Sequence, residues 1–251
     1  MRIVSWNVNG LRATLNAGAL EPVRELAPDA LCIQEVRTKE RPCVLEGYRH
    51  HFNPAERDGY AGTALVTREE PISIAFGLAD PALDAEGRVI TAEYPALYLV
   101  TAYVPRSLDG LRRQGYRVRF NDALTSHVES LDAHKPAVIC GDFNAILDID
   151  DVYAENVHHG EELEGFASDD RDLLLTLLDM GYVDAFRHVH PDERDAFTWW
   201  SARRNRRAVN RGWRLDYFFA SERLAGCIAD ARHLTEVAGS DHCPILLDLS
   251  L

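Results

Sequence analysis

The chain has 251 residues and a mass of 28.2 kDa, with 46% hydrophobic and 27% charged residues and a formal charge of −13. Sixteen glycines and eleven prolines exclude collagen-like and low-complexity chains, and the apolar share excludes a largely disordered one. No apolar run approaches the roughly 18 residues of a membrane span, and MRIVSWNV opens without a basic-then-apolar leader, so a soluble cytoplasmic protein is expected.

In chain order, Ile3–Val8 reads as a strand and residues 12–27 as a helix ended by Pro28. Strands are predicted at Ala30–Gln34, Thr63–Thr67 and Leu97–Val104. A helix follows, because Phe120, Ala123, Leu124, His127, Val128 and Leu131 share one face at helical spacing. After a strand at Ala137–Cys140, the polar stretch 148–170 reads as a surface loop, and a loop of that length is more often functional than idle. Residues 169–180 form a third helix, with Ser168 as N-cap and Gly181 beyond its end. Strands at Leu215–Ala220 and Ile245–Leu249 close the chain. No Gly-, Ser- or Pro-rich linker divides it, so residues 1–251 read as one α/β domain with mixed sheets.

Five cysteines without a CxxC pair fit a reducing compartment better than a disulfide framework or a zinc ribbon. The net acidity argues against a polyanion partner, but the charge is segregated. Residues 203–214 hold Arg203, Arg204, Arg206, Arg207, Arg211 and Arg214 with no acid, beside Trp199, Trp200 and Trp213. Arg106, Arg112, Arg113, Arg117 and Arg119 form a second cluster around Asp109, while acids crowd residues 148–172. Such a chain offers either one basic face to a polyanion or an ordinary solvated Arg-rich loop.

The chemistry-bearing residues sit where strands end: Asn7 and Asn9 after IVSW, Glu35 after LCIQ, Tyr103 closing LVTAY, and Asp142 and Asn144 after VICG. Asp216 lies in WRLDYFF, and Ser240-Asp241-His242 precedes the last strand. Taken singly, each has a structural reading as a turn residue, surface acid or cap. Taken together, these hard oxygen and nitrogen donors fit a Mg²⁺ or Mn²⁺ site with positions open to phosphate oxygens. There is no P-loop, no GxGxxG and no Cys-His set at zinc spacing.

SWNVNGLRA, IQE, AYVP, GDFN, NRGWRLDYFFAS and SDHCP, in this order from residue 2 to 249, closely resemble the exonuclease III family of apurinic/apyrimidinic (AP) endonucleases. GDFN and SDH are shared with the wider endonuclease/exonuclease/phosphatase superfamily, whereas WNVNGLRA and GWRLDYFFAS belong to the DNA-repair branch. The resemblance implies a DNase I-like four-layer α/β sandwich, two mixed β-sheets packed face to face and flanked by helices, with the site at one edge. It implies Mg²⁺, with Mn²⁺ able to substitute, held chiefly by Glu35 with Asn7 and Asp241, and with Asp142, Asn144 and His242 around it. Asp142 would activate the attacking water or hold a second metal, and Asn144 would orient that water. His242 would stabilise charge on the scissile phosphate, Asp216 would orient the imidazole, and Tyr103 would donate to a phosphate or leaving oxygen.

Trp199, Trp213 and Leu215 match the family's apolar pocket for a flipped, base-free sugar, although a tryptophan is as readily a core residue. Arg12, Arg37, Tyr60, Arg106, Arg117 and Arg203 are candidate DNA contacts. Asn9, Arg106, Asp109 and Arg203 depart from the vertebrate pattern, so the side chains that penetrate the duplex there are not carried over. The expected substrate is double-stranded DNA with abasic sites or blocked 3′ ends, cut by a monomer with no membrane partner. Two readings within the hydrolases compete with AP endonuclease: a predominantly 3′-end-processing enzyme, and a phosphatase for inositol or lipid phosphates. A non-catalytic DNA-binding module would require loss of Glu35, Asp142 or His242, and all three are present.

Overall fold

The computed structural model describes residues 1–107, 112–153 and 168–251, with the backbone alone at positions 168, 169, 203 and 204. The described strands, numbered in chain order, form two six-stranded mixed sheets. The first contains β1 (Arg2–Asn7), β2 (Ala30–Gln34), β3 (Arg49–Asn53), β4 (Thr63–Thr67), β11 (Ile228–His233) and β12 (Ile245–Leu249), in the order β11-β12-β1-β2-β4-β3. The second contains β5 (Ser73–Phe76), β6 (Val89–Glu93), β7 (Tyr98–Tyr103), β8 (Ala137–Asp142), β9 (Tyr182–Asp184) and β10 (Asp216–Ser221), in the order β5-β6-β7-β8-β10-β9. Each sheet has a parallel pair near its centre, β1 with β2 and β7 with β8, and antiparallel neighbours outside it.

Ile3, Cys32, Leu99, Cys140 and Phe218 belong to the apolar layer between the sheets. The outer face of the first sheet buries Val4, Trp6 and Leu31 against Leu11 of α1 (Leu11–Asn16) and Val23 of α2 (Glu21–Glu25). The outer face of the second packs Val100, Ile139 and Phe219 on α4 (Gln114–Asp132) and α5 (Ser168–Asp179). The short helices α3 (Pro81–Asp84) and α6 (Ala185–Val189) are the other α-helices among the described residues. This is the four-layer sandwich that the resemblance implies.

Three local expectations change. The helix expected over 12–27 is two short helices, because the chain turns at Gly18, where φ is +66°. Ser168 is the first helical residue of α5 and not its cap. The loop expected over 148–170 contains a 3₁₀ turn at Ile149–Asp151, and Asp170 already lies in α5. Strands β3, β5, β6, β9 and β11 have no counterpart in the sequence reading. Four of these are sheet edges. No described helix is long and apolar enough to cross a membrane, and the five cysteines are all unpaired.

The topology brings one end of both sheets together. The parallel pairs end at Asn7, Gln34, Tyr103 and Asp142, and Tyr103 and Asp216 both stand opposite Asp142 in the β-ladders. Side chains alternate along a strand, so the inward positions can be followed in steps of two. They run Ile3, Ser5, Asn7 in β1; Ala30, Cys32, Gln34 in β2; Leu99, Thr101, Tyr103 in β7; and Val138, Cys140, Asp142 in β8. The space between the sheets therefore grades from apolar to hydroxyl and amide to carboxylate. Gln34 Nε2 donates to Ser5 Oγ at 3.0 Å and to Thr101 Oγ1 at 2.9 Å, joining the sheets directly beneath the charged end.

Candidate active site

A cavity of about 320 Å³ opens at that edge. Asn9, Glu35, Asp142, Asn144, Asp241 and His242 line its polar side, and Trp199, Trp213 and Leu215 its apolar side.

Asp142 is buried at the end of β8, where Gly141 allows close strand approach. With φ +139°, a Cβ at Gly141 would lie 1.9 Å from the carbonyl oxygen of Ala102. The backbone N–H of Asn144 donates to Asp142 Oδ1 at 2.9 Å, and Asn7 Nδ2 donates to Oδ2 at 2.8 Å. Burial outweighs these donors and pushes the Asp142 carboxyl up to about 7, with Asp216 adding to the rise and His242 opposing it. His242 Nδ1 lies 2.8 Å from Asp216 Oδ2, and its Nε2 lies 3.8 Å from Asp142 Oδ2. Burial alone would depress this imidazole, but Asp216 and Asp142 reverse the effect and raise it to about 10. Both carboxylates therefore favour the imidazolium form, with Nδ1–H directed at Asp216.

Glu35 sits just beyond β2 in the left-handed region, at φ +54°, where a non-glycine residue is strained. Tyr103 donates its hydroxyl to Glu35 Oε1, and Arg37 pairs with Oε2 at 2.6 Å. Burial and the Glu35 charge hold the Tyr103 phenol well above its ordinary range, so it remains a donor. Asp241 accepts from Asn9 Nδ2 at 2.9 Å and from Trp199 Nε1 at 3.0 Å. Burial works against the Asp241 charge, but His242 and these two donors hold its pKa below the usual value.

Trp199 meets Trp213 edge-on, with ring centroids 5.9 Å apart. Bridges link Val152 to Trp213, Trp213 to Trp199 and Trp199 to His242. Gly212 lets the chain approach here, since a Cβ there would lie 2.7 Å from the Trp199 carbonyl oxygen and 2.6 Å from Trp200 Nε1. Trp200 itself is core, donating to Asn210.

The candidate DNA contacts divide. Arg37 and Arg106 line the cavity, and Arg12 is exposed with Glu40 3.4 Å away. The Tyr60 hydroxyl is engaged by Arg88 and Arg113. Arg117 is corrected: it is fully buried in α4, donating to the carbonyls of Pro105, Phe143, Asn144 and Asp170 and pairing with the Asp170 carboxylate at 2.9 Å. No phosphate can reach it. Its task is to pin the segment that carries Asn144.

Of the two readings of the arginine clusters, a basic face or a solvated loop, the basic face is reduced in the same way. Arg214 is buried between Asp151 and Asp184, Arg207 donates to the carbonyls of Ser240, Thr235 and Val237, and Arg113 pairs with Glu86. The side chains of Arg203 and Arg204, and all of Asp109, lie outside the described residues. Sequence reasoning missed Ser107 and Asp170, which line the cavity and hydrogen-bond each other. It also missed Arg88, whose guanidinium stacks 4.5 Å over Tyr103. Only the pairing of distant segments could have revealed these three.

The donor set suits a hard divalent cation. Four carboxylates (Glu35, Asp142, Asp170 and Asp241) and the amides of Asn9 and Asn144 line the cavity, Asn7 stands behind Asp142, and the buried Asp216 Oδ1 has no hydrogen-bond partner. Potential ligand atoms of Asp142, Asp216 and His242 lie within 4.8 Å of one another. His242 Nδ1 is already engaged by Asp216 Oδ2 at 2.8 Å, and its Nε2 faces Asp142.

The sequence profile of the Endonuclease/Exonuclease/phosphatase family matches residues 4–242. The chain belongs to this family. It is 40% identical to the exodeoxyribonuclease of Bacillus subtilis (strain 168), with all of both chains covered. It is also 40% identical to the DNA repair nuclease APEX1 of Danio rerio, covering all of this chain and 83% of that one. Among solved structures, the AP endonuclease of Leishmania major superposes with a TM-score of 0.89 at 31% identity, covering 100% of this chain and 87% of that one.

Proposed function

We propose that this protein is an AP endonuclease of the exonuclease III kind. It hydrolyses the phosphodiester 5′ to an abasic site in duplex DNA, leaves a 3′-OH, and processes blocked 3′ ends at the same centre. One observation carries this reading: Asp142 and His242, the latter backed by Asp216, line the same cavity as the Trp199–Trp213–Leu215 wall. A phosphatase for soluble phosphates needs the first of these but has no use for the second.

Asp142, held through both oxygens, takes the proton of the attacking water, and its raised affinity for that proton suits a base working near neutrality. Asn144, whose amide reaches Val104 O at 2.9 Å and Asp142 at 3.4 Å, keeps the water on the Asp142 side. His242, kept cationic and oriented by Asp216, donates from Nε2 to a phosphate oxygen as negative charge builds. Tyr103 would turn its one hydroxyl proton from Glu35 to a phosphate or leaving oxygen once substrate is bound. When bound, Mg²⁺, or Mn²⁺ in its place, supplies positive charge to the phosphate oxygens, and Glu35, Asn7 and Asp241 would hold it. The two indoles and Leu215 would receive a sugar without a base, and selectivity against a full nucleotide would then be steric.

The test is a labelled duplex with one tetrahydrofuran abasic analogue, with and without Mg²⁺, beside the same duplex ending in a 3′-phosphate. Mg²⁺-dependent incision 5′ to the analogue is expected. Removal of the 3′-phosphate without incision would make the enzyme a 3′-end processor, and inertness towards both substrates rejects the reading.

A further inference from the structure

Trp199 stands between two parts of the site. Its ring walls the cavity against Trp213, and its indole N–H donates to Asp241 Oδ2 at 3.0 Å. Asn9 Nδ2 holds the other oxygen, Oδ1, at 2.9 Å. Ser240 adds little to this carboxylate. A hydroxyl has one proton, and the shorter of its two contacts is the Asn7 carbonyl at 2.8 Å, against 3.3 Å to Asp241. Each oxygen of Asp241 therefore has one side-chain donor, which fixes the carboxylate plane and leaves acceptor capacity on both oxygens. The backbone holds the same arrangement, because the N–H of Trp200 donates to the Asp241 carbonyl at 2.9 Å and Trp199 bridges to His242. A phenylalanine at 199 would preserve the wall but could not make the hydrogen bond.

We propose that Trp199 is a positioning residue for Asp241 as well as a wall of the sugar pocket, so that one indole couples pocket occupancy to the carboxylate on the metal side. The inference rests on the reading of Asp241 as a metal-side residue and of the cavity as a sugar pocket. An occupant lying on the ring restricts its tilt, and the N–H transmits that restriction to Asp241. Metal and abasic sugar should then each tighten the binding of the other.

The test compares Trp199→Phe and Trp199→Ala in the full chain, using Mn²⁺ affinity of the DNA-free protein by electron paramagnetic resonance, abasic-duplex affinity in EDTA, and melting temperature. Both variants lose the N–H, so both should weaken Mn²⁺ by the same factor, about tenfold, the usual effect of removing a partner behind a metal-side carboxylate. Abasic-duplex affinity should fall further in Trp199→Ala, which alone removes the wall. Asn9→Ala should weaken Mn²⁺ from the other oxygen. Unchanged Mn²⁺ affinity in Trp199→Phe overturns the inference, and so does a loss confined to Trp199→Ala. The Mn²⁺ comparison needs no turnover. A wild type that cuts no abasic duplex sinks the functional reading, whereas one that cuts alongside a Trp199→Phe of unaltered Mn²⁺ affinity sinks only this coupling.

Discussion

His242 Nδ1 donates to Asp216 Oδ2 at 2.8 Å across the seam between the two sheets, since His242 precedes β12 of the first and Asp216 opens β10 of the second. Asn7 on β1 and Asp142 on β8 make the same kind of crossing at 2.8 Å. The reacting groups are thus held by the packing of the sandwich itself, with the backbone N–H of Asp216 anchored in turn on Thr198 Oγ1 at 3.1 Å.

The Asp216–His242 contact sets a pH dependence. The imidazole is raised from 6.5 to about 10 chiefly by Asp216, against the effect of burial. Activity that needs the Asp142 carboxylate and the His242 imidazolium should rise as pH passes through about 7 and fall as pH approaches about 10. In Asp216→Ala the imidazole loses its strongest support while Asp142 and Asp241 remain, so the alkaline limb should move to lower pH. Turnover at pH 7.5 should decrease on the order of 10²–10⁴-fold. A pH–rate profile at saturating abasic duplex checks this, and an unshifted alkaline limb would remove Asp216 from its orienting role.

Glu35→Ala removes the carboxylate held by Tyr103 and Arg37. Activity should drop mainly through weaker metal binding and should recover in part at high Mg²⁺. Calorimetric titration with Mn²⁺ measures the affinity directly. Normal affinity combined with unrescued activity would place the cation elsewhere.

Trp213→Ala opens the cavity without touching a carboxylate. Incision at an abasic analogue should lose on the order of 1–3 kcal/mol of apolar contact, while cutting beside intact nucleotides gains in relative terms. Since Trp213 also bridges Val152 and Trp199, melting temperature is recorded alongside. A variant that melts much earlier yet keeps its substrate preference per folded molecule would make Trp213 a framework residue.

Arg214 predicts a stability effect with a definite sign. It lies buried between Asp151, at 2.8 Å, and Asp184, at 2.6 Å. Burial disfavours the Asp151 charge, but Arg214 and Arg187 hold its pKa below 3.8. The contribution of Asp151 is therefore full above its unfolded pKa and is lost as pH falls through the lower folded value. Arg214→Met leaves two buried carboxylates short of a partner and should cost about 3–5 kcal/mol at neutral pH. Without the cation the Asp151 pKa rises, so the deficit should shrink as pH falls towards about 4 and the acids protonate. Denaturant unfolding at pH 7 and pH 4.5 tests the sign, and a deficit that grows in acid would contradict it.

The sequence by itself determined the strands that carry the site and the polar residues at their ends. It also carried a signal that only the alternation of side chains makes visible: inward positions grade from Ile3 through Ser5 to Asn7, and from Val138 through Cys140 to Asp142. Both features are local, fixed by side-chain chemistry along one strand. The edge strands β3, β5, β9 and β11 were not legible, because an edge strand buries little of itself and RHHFN or SIAF shows no clean apolar face. Nor could the sequence sort the arginines. Arg117 and Arg214 read as members of basic clusters, and only the fold brings Asp170 to the first and Asp151 and Asp184 to the second, 53, 63 and 30 residues away. An arginine that binds phosphate and one that braces the core have the same side chain. Burial and distant carboxylates separate them, and those exist only once the two sheets have closed.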